Sequence, residues 1–517
     1  RVAVMAMDAV VNTRCGTLRG TEADGIRTFL GVPFAAPPTG ANRLLPPQPV
    51  QPWPGIRDAT DYGDSPPQVA PPVSAGFDWD TGLSGGDCLN LNIWTPSAGA
   101  AGGPGVGTAG LPVMVWIQGG AFEVGSTAAY DGRNFARDGV VCVVINWRVG
   151  ADGFLFLDDG HANVGLLDQV AALEWVRDNI ADFGGDPGNV TVFGESAGAM
   201  SIGVLLSIPR AEGLFRRAIL QSGAAHHVLP ALAAERIGRS LAEKLGVPQT
   251  REAIAAVPVK RLLTAQTELK TELLAHPDPE HWGHDVVASL MPWQPVIDGD
   301  VIPRRPIDRI AAGAGAHVNV IVGTNTEDWK LFLAITGVLA RVTEEGLSGT
   351  DSIEGFPPPA SYGLPVRAAL EAYRAHYPGA TPGDLLAAVQ TDWWVRIPAI
   401  RLAEAHSNAA RTTGAGTYMY EFAWAAPGLG AVHALEVPFV FDTLDTNARL
   451  FGPLLGENPP QELANAMHAA WVSFATTGDP GWPGYEPASR ATMRFDVTQD
   501  VVNDPRSWER AQWEGIR

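Results

Sequence analysis

The chain has 517 residues, a formal charge of −20 and 46% apolar residues, among them 16 tryptophans. Acidity on that scale repels phosphate backbones and excludes nucleic acid as the natural partner. No apolar run reaches the ~18 residues of a membrane span. The three cysteines, Cys15, Cys88 and Cys142, are too few for a disulfide framework.

Length alone suggests about three domains, but no compositional break divides the sequence. The Gly/Ala-rich run from Ser97 to Gly110 separates two strand-like segments and reads as a long surface loop. The expectation is therefore one domain over residues 1–517, with large loop and helical insertions. Arg1 to Val11 is too short, and interrupted by Asp8, to be an intact secretory signal.

In chain order, Cys15–Gly20 and Thr28–Val32 have the alternation of a small antiparallel pair, followed by a Pro-rich crossing. Leu89–Trp94, Val113–Ile117 and Val140–Ile145 are apolar, β-branched runs of the kind covered on both faces. Cys142 lies inside the last of these and reads as a small core residue. Leu166, Val170, Leu173, Val176, Ile180 and Phe183 keep helical spacing up to the stop signal Gly184–Pro187. Val190–Phe193, Arg217–Gln221, Val318–Val322 and Thr417–Trp424 are further strands, and Ala233–Leu273 is largely helical. Strands alternating with helices over three hundred residues predict an α/β fold, with a mostly parallel central sheet and helices on both faces. Sites in such sheets lie at the carboxyl ends of the strands.

Four stretches at those ends carry chemistry. Gly194-Glu195-Ser196-Ala197-Gly198 fits GxSxG, in which a tight strand-to-helix turn holds a serine out at the sheet's edge. Gln118-Gly119-Gly120-Ala121-Phe122 ends a buried strand with small residues, which allow backbone N–H groups to approach a ligand; a plain strand-ending turn is the alternative. Glu327 and Asp328 follow Val318–Val322, where a triad acid would sit or where a solvated turn would carry charge. Of the histidines beyond them, His376, His406 and His468 lie in helix-like segments, whereas His433 lies in a Gly/Pro loop after a strand. His281 and His284 have i, i+3 spacing but no specified third ligand, so no metal site is expected.

With these motifs the chain resembles the type-B carboxylesterase family of α/β-hydrolases, the carboxylesterase, lipase and cholinesterase group, in its bacterial para-nitrobenzyl esterase branch. The resemblance runs from about Thr13 to Phe495 and rests on ordered blocks such as FLGVPFAAPP (29–38), GDCLNLNIWTP (86–96), VMVWIQGGAF (113–122), FGESAGAMS (193–201) and HALEVPFVF (433–441). It implies the α/β-hydrolase fold and hydrolysis of a small-molecule carboxylic ester without cofactor. It makes Ser196 the nucleophile, His433 the base and Asp328 the acid. The oxyanion donors would be the N–H groups of Gly120, Ala121 and Ala197, with Trp79 and Phe122 as substrate-facing candidates. Where the family usually has Asp-Glu-Gly, this chain has Glu327-Asp328-Trp329. The acid is thus one methylene shorter, and the imidazole must lie closer to it. Gln118 replaces the frequent His before the glycines, leaving the loop's supporting hydrogen bonds to be found elsewhere. The partner place for the Cys88 disulfide of secreted relatives holds Pro66, which favours a cytoplasmic location. The alternatives are a specialised hydrolase of one bulky ester, lactone or polyester fragment, and a non-catalytic adhesion member of the fold. The sequence leaves the oligomeric state open.

Overall fold

The computed structural model describes residues 7–69, 84–97, 110–445 and 452–517. In chain order the strands are β1 (Met7–Thr13), β2 (Gly16–Ala23), β3 (Ile26–Pro33), β4 (Ile56–Asp58), β5 (Asn90–Pro96), β6 (Leu111–Ile117), β7 (Val141–Ile145) and β8 (Gly185–Glu195). They continue with β9 (Arg217–Gln221), β10 (Leu229–Pro230), β11 (Val296–Ile297), β12 (Asn319–Asn325), β13 (Thr417–Phe422), β14 (Ala491–Phe495) and β15 (Asp500–Asn503). Among the described residues the main sheet runs β1-β2-β3-β5-β7-β6-β8-β9-β12-β13-β14-β15, with β4 on β2.

From β7 through β6, β8, β9, β12 and β13 to β14 every pair is parallel. Antiparallel strands close the sheet on both sides. β7 has no exposed residue and β6 is buried from Val113 to Ile117, because helices cover both faces. One face is covered by helices that include Val164–Asn179 and Ala197–Leu205, packed with Val115, Val143 and Val192. The other carries Gln461–Thr477 over Met114, Trp116 and Phe193.

The sequence reading recovers this parallel core but stops short at its margins. β1, β14 and β15 were not expected, because Thr492 and Arg494 interrupt the apolar pattern of β14 and Asp500–Asn503 is an exposed edge. The stretch expected to be largely helical resolves into Ala231–Leu245, Arg251–Ala255 and Val259–Ala275. His376, His406 and His468 do lie in helices.

The parallel topology places consecutive strand ends along one edge. Ile117 ends β6, Glu195 ends β8, Gln221 ends β9, Asn325 ends β12 and Phe422 ends β13, and each is followed by a loop that carries part of the site.

Candidate active site

Ser196 occupies the turn between β8 and the helix Ala197–Leu205 at φ 55°, ψ −124°. For a residue with a Cβ this is a strained conformation that costs of order 1–3 kcal/mol and persists only under tight packing. The packing is visible at the two glycines of the motif. A Cβ on Gly194 would lie 2.5 Å from the Ile117 carbonyl oxygen, and one on Gly198 would run into that same oxygen. Helix and strand can close on β6 only because both positions are bare. Ser196 N–H donates to the Gln221 carbonyl at 2.9 Å, fixing the turn to β9.

The loop after β6 lies directly on this turn. A Cβ on Gly119 would come within 3.0 Å of the Ser196 Cβ. Gly120, Ala121 and Phe122 then take positive φ in succession, 119°, 55° and 61°. The reversal is pinned by Glu123 and Val124 N–H groups on the Gly120 carbonyl, at 2.9 and 3.0 Å, and by Gly150 N–H on the Phe122 carbonyl at 2.6 Å. The N–H groups of Gly120, Ala121 and Ala197 have no acceptor among the described residues. Phe122, expected as a substrate-facing residue, lies in the core behind this loop. Its ring is fully buried against Trp147 and Phe154, with centroids 6.0 and 5.2 Å away, so it props the loop from behind. Gln118 reaches Asn146 Oδ1 only at 3.5 Å. Trp79 lies outside the described residues.

Across from the serine, Asp328 Oδ1 lies 2.7 Å from His433 Nδ1. The carboxylate is fully buried, and its Oδ2 accepts Asn325 N–H at 2.8 Å and Ser222 Oγ–H at 3.0 Å. The loops are also joined through the main chain, with His433 N–H on the Asp328 carbonyl at 3.1 Å. Glu327 has a different task. Its Oε2 accepts Ala431 N–H at 3.0 Å and its N–H donates to the Ala431 carbonyl at 3.0 Å. It therefore ties the acid turn to the histidine loop, and its other oxygen, Oε1, accepts Lys330 Nζ at 3.3 Å.

The other ring nitrogen, His433 Nε2, is 2.9 Å from Glu195 Oε1, without the alignment of a hydrogen bond. No hydrogen bond joins it to Ser196 Oγ in this structure. Burial pushes the imidazole pKa down, but the Glu195 and Asp328 carboxylates outweigh it and hold it well above the ordinary 6.5. Beneath them lies Glu436, whose Oε1 accepts Gln221 Nε2 at 3.1 Å and whose Oε2 accepts Asn325 Nδ2 at 2.6 Å. Burial, then the charges of Glu195 and Asp328, raise its pKa to about 7. Glu195 and Glu436 were missed in the sequence. Glu195 stood at the free position of the serine motif, and nothing in the run HALEV marks its glutamate.

The family comparison agrees with this geometry: the family model described as "Carboxylesterase family" matches residues 7–512. The chain belongs to the carboxylesterase family. It is 34% identical to the para-nitrobenzyl esterase of Bacillus subtilis (strain 168), over 97% of each chain. It is likewise 34% identical to the phenmedipham hydrolase of Pseudarthrobacter oxydans, over 96% of this chain and 97% of that one. Among solved structures, a carboxylesterase of Geobacillus stearothermophilus superposes with a TM-score of 0.80 at 36% identity, covering 98% of this chain and 99% of that one. Among the described residues no group of three or more His, Cys, Asp or Glu side chains is arranged to hold a metal, His281 and His284 included. No described helix is long and apolar enough to cross a membrane.

Proposed function

We propose that this carboxylic ester hydrolase works through an acyl-enzyme on Ser196, with His433 as base and acid, Asp328 as the residue that orients it, and Gly120, Ala121 and Ala197 N–H groups as the oxyanion hole. The observation that carries the reading is the buried 2.7 Å Asp328–His433 pairing on loops zipped together, with the opposite ring nitrogen turned toward the residue next to Ser196. His433 Nε2 takes the hydroxyl proton as Oγ attacks the ester carbonyl, returns it to the leaving alcohol, and repeats the cycle with water. The unsatisfied N–H groups beside Ser196 receive the negative charge; loss of one such donor costs about 3 kcal/mol of barrier. For the base to act, His433 Nε2 must leave its charge contact with Glu195 and take up a hydrogen bond with Ser196 Oγ, the kind of tightening catalytic groups make as substrate binds.

The substrate is a small-molecule ester, and the whole chain forms one hydrolase domain. A cytoplasmic location is supported by Pro66 at the place of the disulfide partner and by the free, buried Cys88. The test is turnover of para-nitrophenyl butyrate, with an initial burst of one nitrophenolate per active site, by the wild type and by Ser196→Ala. Unchanged turnover in the variant refutes the assignment.

A further inference from the structure

The turn that carries Asp328 is gripped from its far side by one irregular segment. Helix Pro382–Thr391 runs into a five-residue π turn, Asp392–Arg396, which passes into helix Ile397–Ala410. Ile397 N–H donates to the Asp392 carbonyl, five residues back. Pro398 has no N–H to continue the ladder, and such a break is an ordinary cause of helix irregularity.

The wide turn has a geometric effect. In an α-helix, residues five apart are separated by about 140° around the axis. An i→i+5 turn brings them toward one face. Here those two residues are Thr391 and Arg396, and both reach the acid turn. Thr391 Oγ1 accepts Trp329 N–H at 3.0 Å, and Arg396 Nη2 donates to the Thr326 carbonyl at 2.6 Å. One contact thus lies on each side of Glu327-Asp328. Between them the Trp394 ring stacks on Trp329, with centroids 4.1 Å apart and planes 15° apart. Trp329 in turn stands 5.6 Å from the His433 ring.

Arg396 is held for this task. Its side chain is 2% exposed and pairs with the fully buried Asp392, which also accepts the Tyr373 hydroxyl. Trp513 Nε1–H donates to that hydroxyl at 3.0 Å, so the brace extends back to the C-terminal segment. A buried guanidinium costs several kcal/mol of desolvation unless it is paired, and here Nη1 is paired with Asp392 and Nη2 with the Thr326 carbonyl. A plain packing role asks for neither a charge nor a π turn.

We propose that Thr391 and Arg396 are positioning residues for ester hydrolysis, clamping the two ends of the acid turn so that the Asp328 carboxylate stays aligned on His433 Nδ1. The proposal rests on the reading of Asp328 and His433 as triad members. Once the clamp opens, Asp328 wanders from the imidazole, and displacement of a catalytic group by about 1 Å costs on the order of a hundredfold in rate.

The experiment compares Thr391→Val, Thr391→Ser, Arg396→Lys and Trp513→Phe with the wild type, using para-nitrophenyl butyrate and rates normalised to titrated active sites. Thr391→Val keeps the shape and removes the acceptor, so kcat falls about tenfold or more with KM changed less than twofold. The acidic limb of its pH–rate profile moves down toward the ordinary histidine value, because Asp328 no longer supports the imidazolium. Thr391→Ser restores both. Arg396→Lys keeps the charge without the fork and behaves like Thr391→Val. Trp513→Phe, which loosens the brace behind Asp392, moves kcat and the limb in the same direction as Arg396→Lys and by less. If Thr391→Val and Thr391→Ser share the wild-type kcat and pH limb and differ only in unfolding midpoint, the positioning role is refuted. Asp328→Asn separates the two levels. Its activity retained would overturn the triad reading and this proposal with it, whereas a dead Asp328→Asn beside an unmoved Thr391→Val overturns the clamp alone.

Discussion

Replacing Glu195 by glutamine tests the electrostatics of the base without touching its geometry. His433 lies between two carboxylates, Glu195 Oε1 at 2.9 Å from Nε2 and Asp328 Oδ1 at 2.7 Å from Nδ1, with all three side chains at most 7% exposed. Burial lowers the imidazole pKa, but the carboxylates raise it further, to a net value well above 6.5. In the proposed mechanism the base must be neutral to take the Ser196 proton, so activity should rise with pH through that raised value. An opposite charge in close contact moves a pKa by about 1–3 units, each unit being 1.36 kcal/mol. Since Asp328 remains, Glu195→Gln should move the acidic limb of kcat/KM to lower pH without bringing it below the ordinary histidine range. On the acid side of the profile, each unit raises the neutral fraction about tenfold. The assay is kcat/KM for para-nitrophenyl butyrate from pH 5 to 9, with 15N-edited NMR of the His433 ring in Ser196→Ala as an independent reading. A folded variant whose limb stays where the wild type has it would refute the claim that Glu195 sets the titration of this imidazole.

Asp328→Asn should cut kcat by about ten-thousand-fold, the loss seen when a triad acid becomes an amide and holds the wrong tautomer. Glu327→Gln should cost far less in kcat, since its carboxylate meets the Ala431 backbone and Lys330 rather than the imidazole; a larger loss from Glu327→Gln reverses the assignment. Glu436 and His433 both have folded-state pKa values above their unfolded ones, so their contributions to stability are full below the unfolded values and fade as pH rises through the folded ones. For Glu436 that window is 4.5 to about 7, and Glu436→Gln should flatten the urea-midpoint profile there, whereas an unchanged slope contradicts the burial argument. Gly198→Ala should lower the unfolding midpoint and abolish turnover together, because the new Cβ meets the Ile117 main chain, which cannot rotate aside. Retained stability in that variant would show the elbow to be looser than described.

The parts legible in the sequence were those written in local chemistry. GxSxG, the small residues after β6 and the buried apolar strands announce themselves within a few residues. The rule that sites gather at strand ends sets His433 apart from its helical rivals, and the family resemblance makes it the expected base. The expectation of Asp328 over Glu327 rests on the family resemblance; in the structure Asp328 faces His433 Nδ1, whereas Glu327 faces Ala431 and Lys330. What stayed hidden depends on residues far apart in the chain. Glu195 carries meaning only because His433 folds back onto it from 238 positions later. A sequence does not show which side of a strained loop faces the core, and here the Phe122 ring packs on Trp147 and Phe154. The π turn left no periodic signature, as its effect is to rotate two side chains within an otherwise helical run.

The most direct measurement is the mass and site of the covalent adduct formed with a fluorophosphonate that reacts with activated serines. One label per chain on the peptide containing Ser196, absent in Ser196→Ala and greatly slowed in His433→Ala, is the result expected here. A label on any other residue, or ester turnover that survives the loss of Ser196, would contradict it.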